Sequence, residues 1–124
     1  MARIDIERAR KLLRSAERLF ELGDLHGVAG LAYQAFESGI VSLIKIKNGI
    51  DQKSHGGRRK RAKELLSKFR DRIDDLWEYR NIDFYGNISM GNEKRGITSQ
   101  EAKESLDIVK RIIDEIEQFV GEDQ

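Results

Sequence analysis

Residues 25–47 read LHGVAGLAYQAFESGIVSLIKIK, and this stretch decides the fold. Placed on a helix, Val28, Ala29, Leu31, Ala32, Ala35, Phe36, Ile40, Val41, Leu43 and Ile44 leave almost no polar face. A surface helix keeps one solvated side, so a helix that is apolar nearly all round lies at the centre of a bundle or against a second subunit. Gly30 and Gly39 each cost roughly 1 kcal/mol of helix propensity relative to alanine. Close approach of a neighbouring helix is the better reason for their presence.

Four further helices lie outward from it. Residues 4–22 carry Ala9, Leu12, Leu13, Ala16, Leu19 and Phe20 on one face and stop at Gly23, a residue suited to a left-handed C-terminal position. Asp24 is then placed to cap the central helix. Downstream, Asn48-Gly49 closes that helix and a polar loop runs through Gly57. A short helix follows over about 58–68 and another over about 71–84, ending at Gly86. Glycine, asparagine and serine make residues 86–97 read as a mobile loop. The fifth helix opens on Thr98-Ser99-Gln100-Glu101, a capping box in which each end side chain serves an amide of the other's turn. Its core stripe is Ala102, Leu106, Val109, Ile113, Ile116 and Val120, and the acidic tail after Gly121 is expected to fray. Long periodic segments without proline predict an all-α chain: an up-and-down four-helix bundle with one additional short helix, forming a single domain over residues 1–124.

Bulk composition narrows the function. Lys plus Arg is 23 and Asp plus Glu is 22, so no chain-wide field draws in nucleic acid and any such binding rests on a local patch. The absence of cysteine excludes disulfides, thiolate metal sites and a cysteine nucleophile. No apolar run approaches the roughly 18 residues of a membrane span, and the charged N-terminus is unlike a signal peptide. A cytoplasmic protein without a membrane partner is the expectation.

The chemistry concentrates near the end of the fourth helix. Ile73, Leu76, Trp77, Arg80 and Phe84 share one stripe, which puts a guanidinium where the helix is otherwise apolar. Burying that charge costs several kcal/mol unless it is paired or keeps contact with water. Two readings stay open: the Arg80 stem packs while its head reaches solvent or a carboxylate such as Asp83, or Arg80 lines a polar cleft. Tyr79, Asn81, Asp83 and Tyr85 surround it with hydrogen-bonding groups, a set suited to orienting and neutralising a phosphate. No histidine stands beside it in sequence to act as a base. His26 and His55 are too isolated for a metal site, and no metal or cofactor is expected. From Lys53 to Lys63 six basic residues occur with no acid, among them Arg58, Arg59 and Arg61. Such a run is either a solvated face or a patch for phosphate or an acidic partner.

These residues in this order resemble the HEPN family of small helical bundles. The resemblance is carried by Ala9-Arg10-Lys11-Leu12-Leu13, the Gly23-Asp24 junction, Leu31-Ala32-Tyr33-Gln34-Ala35-Phe36-Glu37, the Lys53-Ser54-His55-Gly56-Gly57 loop and Arg80-Asn81-Ile82-Asp83-Phe84-Tyr85-Gly86. It covers nearly the whole chain. It implies a homodimer and, as partner, a small nucleotidyltransferase in a toxin–antitoxin-type pair, with a cleft for nucleotide or RNA phosphate; on the reading of the residues above, Arg80, Tyr79, Asp83, Arg58, Arg59 and Arg61 are the candidates to bind that ligand. Many members are metal-independent ribonucleases with an arginine, a polar residue and, a few positions on, a histidine. Arg80 matches the arginine, Asn81 the polar residue, and Tyr85 stands where the histidine belongs. Tyrosine, with an ordinary pKa of about 10, is a poor base at neutral pH. A ribonuclease using Arg80, Asn81 and Tyr85 is therefore the alternative, and a purely structural dimer the third reading.

Overall fold

Among the described residues five α-helices follow one another as α1 (Ala2–Glu21), α2 (Val28–Ile46), α3 (His55–Leu65), α4 (Arg70–Tyr85) and α5 (Ser99–Glu122), with a 3-10 turn at Ser67–Phe69 between α3 and α4. The computed structural model describes residues 2–47, 49–50, 53–85 and 96–122. Expectations about Asn48, Gly86, most of the 86–97 loop, the side chain of Val120 and the last residues of the tail fall outside them. Among the described residues there are no strands, and no helix is long and apolar enough to cross a membrane.

The all-α bundle expected from the sequence is the one observed. Cross-helix contacts fix the directions. Lys45 near the end of α2 pairs with Asp5 near the start of α1 at 2.7 Å, so α1 and α2 are antiparallel. Tyr79 of α4 reaches Glu104 of α5 while Lys68, just before α4, reaches Glu115, which makes that pair antiparallel too. Arg10 of α1 joins Asp114 and Glu117 of α5. With α1, α2, α4 and α5 alternating in direction, α2 and α5 form the parallel diagonal. They approach closely at Gly39, where an added Cβ would meet the Ile116 side chain at 3.2 Å. That explains a glycine inside the central helix.

Phe36, Ile40, Leu43 and Ile44 of α2 are fully buried against Ile73 and Leu76 of α4 and the Ile112, Ile113 and Ile116 set of α5. Each such side chain contributes on the order of 1.5–3 kcal/mol. Because α1, α3, α4 and α5 all pack on α2, its apolar surface is consumed within the chain. Of the two placements its sequence allowed, the central one is realised.

Two helix starts differ from expectation for identifiable reasons, whereas the Gly23 stop is as expected. Gly23 (φ 78°) closes α1 through Gly23 N–H to Phe20 and Asp24 N–H to Leu19. Asp24 does not cap α2, which begins later: Gly27 (φ 92°) is its N-cap residue and has no side chain to offer. The missing acceptor comes from α4, as described below. The short helix starts at His55, not Arg58, since Ser54 Oγ accepts from Gly57 N–H at 3.0 Å and draws both glycines into the first turn. The Thr98–Glu101 capping box forms reciprocally as predicted, at 3.0 and 3.1 Å.

Candidate functional site

Trp77 is the hub of the polar end of the bundle. The Arg80 guanidinium lies 4.9 Å from its ring centroid and 5.0 and 5.6 Å from those of Phe84 and Tyr85. Arg80 Nη1 donates to Asn81 Oδ1 at 3.0 Å, so the arginine and its polar neighbour act as one unit. The guanidinium is thus half-buried among aromatic faces, where cation–π attraction replaces part of its hydration. Tyr85 completes the rim and is largely exposed.

Asp83 does not join this group. Its side chain is fully buried and accepts from the amides of Gly27 at 2.8 Å and Gly30 at 2.9 Å. It is the N-cap of α2 supplied in trans, and it neutralises the positive end of that helix dipole. The Asp83 partnership foreseen for Arg80 is therefore replaced by Asn81. One residue on, the Phe84 ring occupies the space over Gly30, where a Cβ would collide with it. Tyr79 also points elsewhere: its hydroxyl donates to Glu104 of α5 at 2.5 Å. Burial, then that hydrogen bond and the carboxylate's charge, hold its pKa well above the usual tyrosine range.

The basic run divides instead of forming one surface. Arg61 pairs with Glu64 at 3.0 Å and Lys63 with Asp74 at 2.5 Å. Arg58 Nη1 stands 3.6 Å from Glu37 Oε1. Arg59 alone reaches the hub, with its guanidinium 4.4 Å from the Trp77 centroid. Of the three arginines singled out in the run, Arg59 joins Arg80 and Arg61 does not.

Three residues that sequence reading did not place at the site are brought to it by packing. Tyr33 of α2 packs against Trp77 at 5.3 Å and His55 against the same indole at 5.6 Å. His55 Nδ1 lies 2.5 Å from Oε2 of Glu37, whose side chain is only 9% exposed. Tyr33 is buried, and burial, with the Glu37 charge adding to it, pushes its hydroxyl up to about 12. Arg59 lies beside that hydroxyl without meeting hydrogen-bond geometry. Tyr33 Oη and Arg59 Nη1 are accordingly both buried with no hydrogen-bond partner among the described residues. The available signal was Glu37, a carboxylate four residues after Tyr33 on a helix with almost no polar face; its partners lie 18 or more positions away. His26 is exposed, 3.6 Å from Asp83. No group of metal-ligating side chains occurs among the described residues.

What converges on Trp77 is two guanidinium groups, a buried phenol with an unspent hydroxyl, and an imidazole. Such donors recognise phosphate oxygens and stack against flat groups. The family model described as "HEPN domain" matches residues 2–119 of this chain. The chain is also 28% identical over 102 residues to proteins named glutamyl-tRNA reductase from Saccharolobus islandicus strains M.14.25 and M.16.27. That match takes in 82% of this chain but 23% of the reductases' length.

Proposed function

The chain belongs to the HEPN domain family, and from that premise we propose that it binds the phosphate of RNA or a nucleotide at the Trp77 hub, as the partner of a small nucleotidyltransferase in a toxin–antitoxin-type pair. The observation that carries the binding reading is the pair of buried, unpartnered donors, Tyr33 Oη and Arg59 Nη1, beside a second guanidinium whose hydrogen bond goes to an amide, Asn81. Buried donors left unmade cost about 1–3 kcal/mol each, so this end of the bundle holds more donor capacity than its own acceptors use, and Arg80, half-buried at its rim, is the group an incoming phosphate meets first. The nucleotidyltransferase partner rests on family membership. The reductase activity of the similar proteins is not carried over, since the likeness spans under a quarter of them.

A second reading, metal-independent RNA cleavage, is favoured by the clustering of Arg80, Asn81 and Tyr85 on one surface. Binding is tested first. Wild-type protein should bind a fluorescent 2′-O-methyl oligoribonucleotide with affinity that falls as salt rises. Arg80→Ala should weaken it about tenfold or more, the effect of losing one charge-assisted contact of roughly 1.5–3 kcal/mol. Arg61→Gln, whose guanidinium is spent on Glu64, should bind like wild type. Equal affinity of Arg80→Ala and wild type would remove the hub as the binding site.

A further inference from the structure

Helix α1 has a second face that the bundle does not use. Ile4, Arg8, Lys11, Ser15, Arg18 and Leu22 follow one another at alternating intervals of four and three residues, which sets them along one stripe of the helix. Leu22 lies just past the end of α1, but its amide still donates to the Arg18 carbonyl at 3.1 Å and keeps the helical turn. All six residues are exposed, Ile4 and Leu22 at 68% and 71%. These two apolar residues bracket the cations at a separation of about 27 Å along the helix.

Nothing in the fold neutralises the middle of the stripe. Where α1 meets its neighbours its charges are paired: Asp5 with Lys45 of α2, and Arg10 with Asp114 and Glu117 of α5. Among the described residues Arg8, Lys11, Arg14 and Arg18 form no ion pair, and Glu7, Glu17 and Glu21 of the same helix join none of them. Arg8 and Lys11, Lys11 and Arg14, and Arg14 and Arg18 stand three or four positions apart, so like charges are neighbours and repel one another. At the centre of the stripe Ser15 Oγ donates back to the Lys11 carbonyl at 3.2 Å, which leaves a low point where another backbone can approach.

We propose that this face docks a helix of a partner protein, apolar at its two ends and acidic between them. Alternating four- and three-residue spacing is the seam on which a second helix packs at a shallow angle. Charge complementarity fixes the middle of the partner, and Ile4 and Leu22 fix its ends. A nucleic acid would satisfy the cations but leave both apolar side chains in water. A bilayer surface would call for apolar residues along the whole face and not at its extremities. The face belongs to α1, which packs on α2 and α5, whereas Trp77 and Arg80 belong to α4. It is therefore open to a partner whether or not the hub binds phosphate.

The probe is a synthetic helical peptide of about 21 residues, with leucine near each end and glutamate in the same four-and-three spacing between. A scrambled peptide of equal composition and one with lysine for glutamate are the controls. In fluorescence anisotropy the full chain should bind the glutamate peptide, and both controls about tenfold more weakly or worse. Lys11→Glu combined with Arg18→Glu, both exposed, should leave the melting temperature nearly unchanged. The double variant should weaken the glutamate peptide about tenfold or more, since each reversal removes an attraction and adds a repulsion. It should then prefer the lysine peptide. Leu22→Ser should weaken binding without changing its salt dependence. Absent binding of the glutamate peptide, equal binding of the scrambled one, or undiminished binding by the double variant overturns the assignment. So does loss of 2′-O-methyl oligoribonucleotide binding in the double variant, which would make the face an RNA surface. Retention of wild type, but not of the double variant, on phosphatidylserine vesicles would overturn it in favour of a membrane.

Discussion

At the residue scale, position in space decides what side chains of similar shape do. Asp83 and Asn81 sit two apart on α4, yet one is buried as a helix cap and the other is the hydrogen-bond partner of Arg80. Tyr33 illustrates a residue whose folded environment disfavours one of its own forms. Its hydroxyl is buried without a partner and its pKa lies at about 12, against about 10 when unfolded. Below pH 10 the phenol is protonated in both states and its contribution to stability is complete. Between about 10 and about 12 the unfolded chain releases the proton first, so this contribution is lost as pH rises through the folded value. Tyr33→Phe should flatten that slope in urea melts run at stepped pH. At neutral pH it should leave stability equal or raise it by about 1 kcal/mol, because the unsatisfied hydroxyl is gone. A clear drop in neutral-pH stability would mean that the hydroxyl has a partner in solution.

At the scale of elements, α2 owes its first turn to α4. The Gly27 and Gly30 amides both donate to Asp83, 56 and 53 residues away. Charge-assisted hydrogen bonds contribute about 1.5–3 kcal/mol each, so Asp83→Ala should destabilise the fold by roughly 3 kcal/mol. Asp83→Asn, which keeps one accepting oxygen, should recover part of that loss in thermal or denaturant melts. Equal stability of the alanine variant and wild type would show that water caps α2 as well as the carboxylate does. Because Phe84 lies over Gly30, this cap also sets the aromatic wall beside Arg80. Loss of the cap should therefore weaken oligonucleotide binding even in the folded fraction.

At the scale of the whole molecule, the surplus apolar surface expected to drive dimerisation is not on α2, which lies at the bundle's centre. Phe84 and Tyr85, 42% and 52% exposed, form an adjacent apolar pair at the end of α4, beside Arg80. A homodimer proposed on this basis joins two copies through α4 and sets their hubs side by side. Sedimentation at micromolar concentration should then give a dimer for wild type and a monomer for the double variant Phe84→Ser, Tyr85→Ser. A monomeric wild type would rule the proposal out.

Local sequence alone determined the all-α content, the nearly all-apolar character of the second helix, the Gly23 stop and the Thr98 capping box, since each is set by neighbours within a turn or two of helix; that the second helix lies at the bundle's centre was decided by the packing of the others on it. The pairing of Arg80 with Asn81 lies between neighbours in the sequence, which bond to one another. The partners of Arg59, His55, Glu37 and Asp83 were not legible in the sequence. Those pairings join α2, α3 and α4 across separations that no local pattern encodes, and burial selects among chemically equivalent choices. Arg61 found Glu64 one turn away, whereas Arg59, two positions earlier, was turned onto Trp77. The helices were written in the spacing of apolar residues; which charges meet was decided by how those helices pack.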